Sequence, residues 1–96
     1  MKIEWSPTAI RDLNRIVGLI AMDKMEVALR WARTIEKKVA RLKRFPKSGR
    51  IVPEVGRDEI RELVIGSYRI IYKLDKEISI LTLFHGSKGS AGNLFL

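Results

Sequence analysis

Apolar residues along the chain follow two periods, three to four residues before Phe45 and two residues after Gly56. Between Ser6 and Met22, the residues Ile10, Leu13, Val17 and Ile20 recur at spacings of three and four, with Ile16 beside them. Side chains at those spacings stack on one side of a helix, and Arg11, Asp12, Asn14 and Arg15 fall off that stripe. Ser6 and Pro7 give the helix its start: the hydroxyl caps free backbone N–H groups, and a proline at the first helical position has no N–H to leave unpaired. Asp23 followed by Glu26 has the spacing of a capping box and predicts a second helix, along which Ala28, Trp31, Ile35, Val39 and Leu42 repeat. From Phe45 to Arg50, Pro46 and Gly49 break the pattern, which predicts a connecting loop after a helical hairpin.

The alternating segments read as strands. Lys2 to Trp5 predicts a short opening strand, and Asp58 to Ile65, Ser67 to Leu74 and Glu77 to His85 predict three more. Gly66-Ser67 and Asp75-Lys76 sit where tight turns are needed, so the last three strands form an antiparallel meander. Apolar residues on both registers imply that much of the sheet is covered, by the hairpin on one face, with the second face left for a partner. The expectation is one α+β domain spanning 1–96: an N-terminal strand, then a two-helix hairpin packed on a small antiparallel sheet, in the order β-α-α-β-β-β. The glycine- and serine-rich stretch from Gly86 to Asn93, closed by Leu94-Phe95-Leu96, predicts a flexible tail over about 86–96.

Composition narrows the chemistry. The chain has no cysteine and a single histidine, so disulfides, thiol nucleophiles and thiolate metal sites are excluded, and neither a metal nor a cofactor is expected. It has no apolar run long enough to span a membrane and no secretory pattern at its N-terminus, which points to the cytoplasm. Nineteen Lys and Arg against 11 Asp and Glu give a formal charge of +8. Such a field favours a polyanion or an acidic protein as partner.

Five of the cations, Arg30, Arg33, Lys37, Arg41 and Arg44, repeat at three and four on the side of the second helix opposite its apolar stripe. That row contacts nucleic acid or a protein, or it is simply a solvated face. Arg50 and Arg57 flank the loop before the sheet. Trp5 and Trp31 read as core anchors, and Tyr68 and Tyr72 share a strand face with Ile70 and Leu74, which suits packing of their rings.

In order, the chain carries Trp5-Ser6-Pro7-Thr8-Ala9 leading to Asp12-Leu13, the Phe45-Pro46 to Gly49-Arg50 loop, Pro53-Glu54, Arg61-Glu62-Leu63, Tyr68-Arg69-Ile70-Ile71-Tyr72 and Phe84-His85-Gly86. Over nearly its whole length this set resembles the RelE/ParE superfamily of toxins. The resemblance implies a toxin neutralised by a cognate antitoxin, with one of two targets. RelE-like members cut messenger RNA at the ribosome by metal-free acid–base and electrostatic catalysis; ParE-like members poison DNA gyrase by binding. On the ribonuclease side, Arg69 matches the phosphate-contacting arginine, Lys88 falls near a second basic position, and His85 is a candidate acid or base.

The departures favour the ParE side. Arg61 is out of register with the lysines of the ribonuclease pattern, Glu62 puts a negative charge beside the phosphate, and Asn93-Leu94-Phe95-Leu96 lacks the C-terminal tyrosine. On that side, the candidates for binding target or antitoxin are Arg50, Arg57, Arg61 and the row from Arg30 to Arg44. A third alternative is a homologue that has lost toxicity and still binds an antitoxin. The sequence leaves the oligomeric state open.

Overall fold

In the computed structural model, which describes residues 1–86, Ser6 separates the opening strand β1 (Ile3–Trp5) from helix α1 (Pro7–Asp23). Its Oγ accepts from the Ala9 backbone N–H at 3.0 Å and donates to the Leu81 carbonyl at 2.9 Å. One hydroxyl thus caps the helix and fastens its first turn to the sheet. Helix α2 (Met25–Ala40) follows after a single extended residue, Lys24. The Lys24 N–H closes α1 on the Ile20 carbonyl, and the Lys24 carbonyl opens α2 by accepting from the Ala28 N–H. This corrects the capping-box expectation: Asp23 is the last residue of α1, and no side chain caps α2. With a one-residue link the backbone itself joins the two helices, which leaves no separate cap position for Asp23. A single 3₁₀ turn, Arg41–Lys43, extends α2 toward the loop.

Three long strands, which we label β3 (Ile60–Ile65), β4 (Tyr68–Leu74) and β5 (Ile78–His85), form the expected antiparallel meander. Gly66, at φ +59°, makes the β3–β4 turn in a conformation that suits a residue without Cβ. The sheet is nevertheless mixed and five-stranded, in the order β1-β5-β4-β3-β2, where β2 is Arg50–Ile51. β1 lies parallel to β5, with Ile3 beside Ile78 and Trp5 beside Ile80. β2 falls in the segment predicted as loop and pairs antiparallel with β3, Arg50 opposite Glu62. Alternation along one strand says nothing about which strand lies beside it, and a parallel neighbour arrives only after a long crossover.

The helices cover one face of the sheet. Ile16, Ile35, Val39 and Leu42 pack there against Ile70, Tyr72, Ile78, Ile80 and Leu83, with Trp5, Trp31 and Tyr68 half-buried at the margin. Ile80 and Leu83 are three apart, which strict alternation would put on opposite faces. A bulge resolves this: Ile71 pairs with Thr82 and Tyr72 with Ile80, leaving Leu81 as the extra residue. Asp12 on α1 secures the bulge, its Oδ2 accepting from Thr82 Oγ1 at 2.5 Å and from the Leu83 N–H at 3.1 Å.

The second face carries a smaller cluster, Val52, Ile60 and Ile71, packed with Val55, Leu81 and Phe84. Part of its cover comes from the chain itself. After β2 the backbone turns tightly, the N–H groups of Val55 and Gly56 both donating to the Val52 carbonyl, with Gly56 at φ +70°. That turn holds Glu54 beside the face on which Arg69 lies.

Candidate functional site

Arg69 alternates with Tyr68 and Ile70 along β4, so its side chain projects to the face away from the helices. Its Nε donates to Glu62 Oε1 at 2.7 Å, and its two terminal nitrogens donate to the two oxygens of Glu54 at 2.6 and 2.9 Å. Glu62, on β3, has a fully buried side chain and gives its other oxygen to Arg50 Nε at 2.5 Å. Phe84 lies across the strand pair with its ring centroid 5.5 Å from the Arg69 guanidinium carbon. Hydrogen bonding to Glu54, reinforced by Glu62, pushes the Arg69 guanidinium further above its ordinary range, against the opposing effect of burial.

The result is an alternating chain, Arg50–Glu62–Arg69–Glu54, in which every nitrogen of the Arg69 guanidinium already faces a carboxylate. A phosphate reaching Arg69 must displace Glu54 and lie beside buried Glu62, a like charge in a region of low dielectric. The arrangement stabilises an arginine and does little for an anion.

The other candidates are dispersed. Arg61 is a structural staple: its Nε donates to the Asp58 carbonyl, Nη2 to Asp58 Oδ1 at 2.7 Å, and Nη1 to the carbonyls of Gly49 at 2.9 Å and Lys47 at 3.3 Å. Exposed Arg57 pairs with Glu59. His85 stands opposite Tyr68, ring centroids 5.4 Å apart, and Tyr68 in turn packs edge-on against Trp31 at 5.1 Å. Because Tyr68 and Arg69 are consecutive on one strand, His85 and Arg69 belong to opposite faces of the sheet. Lys88 and the predicted tail beyond Gly86 lie outside the described residues.

Tyr72 has a role the sequence did not single out. Its ring is buried in the main core, its hydroxyl donates to the Pro46 carbonyl at 2.8 Å, and it accepts from the Gly49 N–H at 3.0 Å. A Cβ on Gly49 would come within 2.5 Å of that hydroxyl, so the glycine is required by close approach. Tyr72 and Arg61 together hold the 46–49 segment against the sheet.

Arg30, Arg33, Lys37, Arg41 and Arg44 are all exposed on α2 and the turn after it, as the helical spacing predicts. Lys38, Lys43 and Lys47 add to them. Among the described residues none of these eight takes part in an ion pair. Sequence reasoning passed over Lys38, Lys43 and Lys47 in that group and exposed Phe45 beside them, and it passed over Glu54 as a partner of Arg69. The Pro53-Glu54 motif was visible, but no periodicity links residue 54 to residue 69. Among the described residues no group of three His, Cys, Asp or Glu side chains is placed to hold a metal, and no helix is long and apolar enough to cross a membrane.

A helical hairpin laid on a mixed sheet that opens with a strand parallel to its last defines the small RelE/ParE-like toxin fold. A solved chain of the chromosomal ParDE toxin–antitoxin system from P. aeruginosa shares it, with a TM-score of 0.73, 24% identity, and coverage of 88% of this chain and 95% of that one. Residues 3–89 match the family described as the ParE toxin of the type II toxin–antitoxin system parDE. A protein of Sinorhizobium fredii (strain NBRC 101917 / NGR234), provisionally named toxin Y4kP, is 34% identical over 87 residues, covering 88% of this chain and 86% of that one. The chain belongs to the ParE toxin family.

Proposed function

We propose that this type II toxin acts by binding DNA gyrase and trapping it with its DNA cut, not by cutting messenger RNA, and that a cognate antitoxin neutralises it in the cytoplasm. The observation that carries this reading is the state of Arg69, the residue a ribonuclease of this superfamily would turn toward the scissile phosphate. Glu54 and Glu62 engage all three of its nitrogens, and His85, the candidate acid or base, belongs to the opposite face of the sheet. Acid–base cleavage needs these groups to converge on one phosphate.

The antitoxin has a suitable seat elsewhere. A largely apolar groove of about 480 Å³ runs between β1 and the two helices, lined by Ile3, Trp5, Ile10, Leu13, Val39 and Ala40, with Glu36 and Lys43 also in its wall. An amphipathic helix of the antitoxin would lay its apolar stripe there.

The test is to induce the toxin without antitoxin in a bacterial host and follow labelled thymidine and labelled methionine in parallel over the first minutes. Early arrest of thymidine incorporation while methionine incorporation continues is the expected result. Early arrest of methionine incorporation would contradict it and return Arg69 and Lys88 to candidacy as catalytic groups.

A further inference from the structure

Between residues 30 and 47 the chain carries eight cations and one carboxylate, a net +7, so this stretch holds nearly all of the formal +8 of the molecule. It ends at a concave surface. Arg41, Phe45, Pro46, Lys47 and Ser48 line a depression of about 610 Å³, and a smaller one of about 300 Å³ adjoins it, sharing Arg41 and Ser48 and bordered by Lys38. Phe45 is an aromatic ring left 50% exposed among these cations, with the Arg44 guanidinium carbon 5.5 Å from its centroid.

We propose that this surface binds an unpaired nucleic-acid strand, with phosphates on Lys38, Arg41 and Lys47 and a base stacked at Phe45 beside Arg44. Three features select this partner. The cations lack carboxylate partners among the described residues, so an incoming phosphate displaces only water and counterions. The exposed ring offers a π-face, which every base can use and a phosphate-only ligand cannot. The rigid α2 row leads into the depression: from Arg30 to Arg41 the helix rises about 16 Å, a length over which a strand of nucleic acid presents several phosphates. The inference stands apart from the gyrase reading, and unpaired DNA at a cut or messenger RNA would present the same sugar–phosphate and base chemistry.

The test is fluorescence anisotropy of the purified full-length toxin with labelled 12-nucleotide DNA and RNA strands and a 12-base-pair duplex. Gyrase and ribosomes are absent, so the outcome is independent of which target the toxin poisons. Binding to a single strand is expected, with log affinity falling against log salt at a slope of about −2, as for about three phosphates neutralised. The triple variant Arg41→Gln/Arg44→Gln/Lys47→Gln should reduce that slope to about −1, whereas Lys24→Gln/Lys73→Gln/Lys76→Gln, with the same charge removed elsewhere, should stay closer to wild type. Phe45→Ala should weaken single-strand binding about tenfold. Stronger binding to DNA or to RNA tells the two sources apart. Equal losses in both triple variants, duplex binding untouched by Phe45→Ala and as tight as single-strand binding, or equal affinity for an acidic peptide of matched charge would each overturn the proposal.

Discussion

The open face of the sheet and the outer face of α2 are both rich in arginine and lysine, yet they are opposite kinds of surface. On the open face of the sheet Arg50 and Arg69 pair with the carboxylates of Glu62 and Glu54, and Arg57 in the loop before β3 and Arg61 on the other face of that strand pair with Glu59 and Asp58. On the helix side the row from Arg30 to Lys47 has none among the described residues. The first set is charge consumed internally, to hold β2, β3, β4 and their loops in register. The second is charge that no carboxylate among the described residues pairs with. A count of basic residues would rate the two alike, and the Arg69 motif would even favour the first. The distribution of carboxylates tells the two surfaces apart.

The sharpest way to break the comparison is to remove a carboxylate on the sheet side. Glu62→Ala leaves Arg69, whose side chain is only 11% exposed, without one of its two partners, and should cost about 3 kcal/mol of stability in urea unfolding. A loss under about 0.5 kcal/mol would show that the chain of charges is decoration. Next comes Tyr72→Phe, which strands the buried Gly49 N–H and should cost about 2 kcal/mol. Burial raises the Tyr72 hydroxyl above its ordinary value of 10.0. Above pH 10 the unfolded chain therefore releases this proton before the folded one does, and stability falls as pH rises through the folded value. The alkaline fall should be shallower in Tyr72→Phe, and identical slopes in the two proteins would refute a structural role for that proton.

Asp12→Ala, which frees Thr82 and the Leu83 N–H at the bulge, should cost about 1.5 kcal/mol by the same measurement. Smallest of all is the effect expected on the helix side: Arg41→Gln/Arg44→Gln/Lys47→Gln should change stability by no more than about 0.5 kcal/mol, and a large loss would mean these cations are structural after all.

Much of this was legible in the sequence. The apolar stripes of α1 and α2, the Ser6 cap, the three-strand meander and the outward row on α2 follow from local spacing, and local spacing is what a helix or a hairpin is made of. What local spacing does not contain was missed. The parallel partner of β1 lies some 75 residues away at Ile78–Ile80. β2 is two residues long with both side chains exposed, so it leaves no pattern. The capping-box spacing at Asp23 was present and unused, because the helices share Lys24 as a common cap. At the candidate site, the sequence identified Arg69 and noticed the awkward sign of Glu62. It did not reveal that Glu54 closes over the same guanidinium, since only the fold brings residues 54 and 69 together.

The central claim is that a toxin whose Arg69 is already neutralised works by holding a target and not by cutting RNA. It is tested most directly with purified components: gyrase and plasmid DNA with increasing toxin, beside translating ribosomes and messenger RNA at the same toxin concentrations. Linear DNA accumulating in the gyrase reaction, with the messenger intact on the ribosome, is the predicted result. Cleaved messenger with unaffected gyrase would contradict it, and would mean that Glu54 and Glu62 release Arg69 when the ribosome is bound.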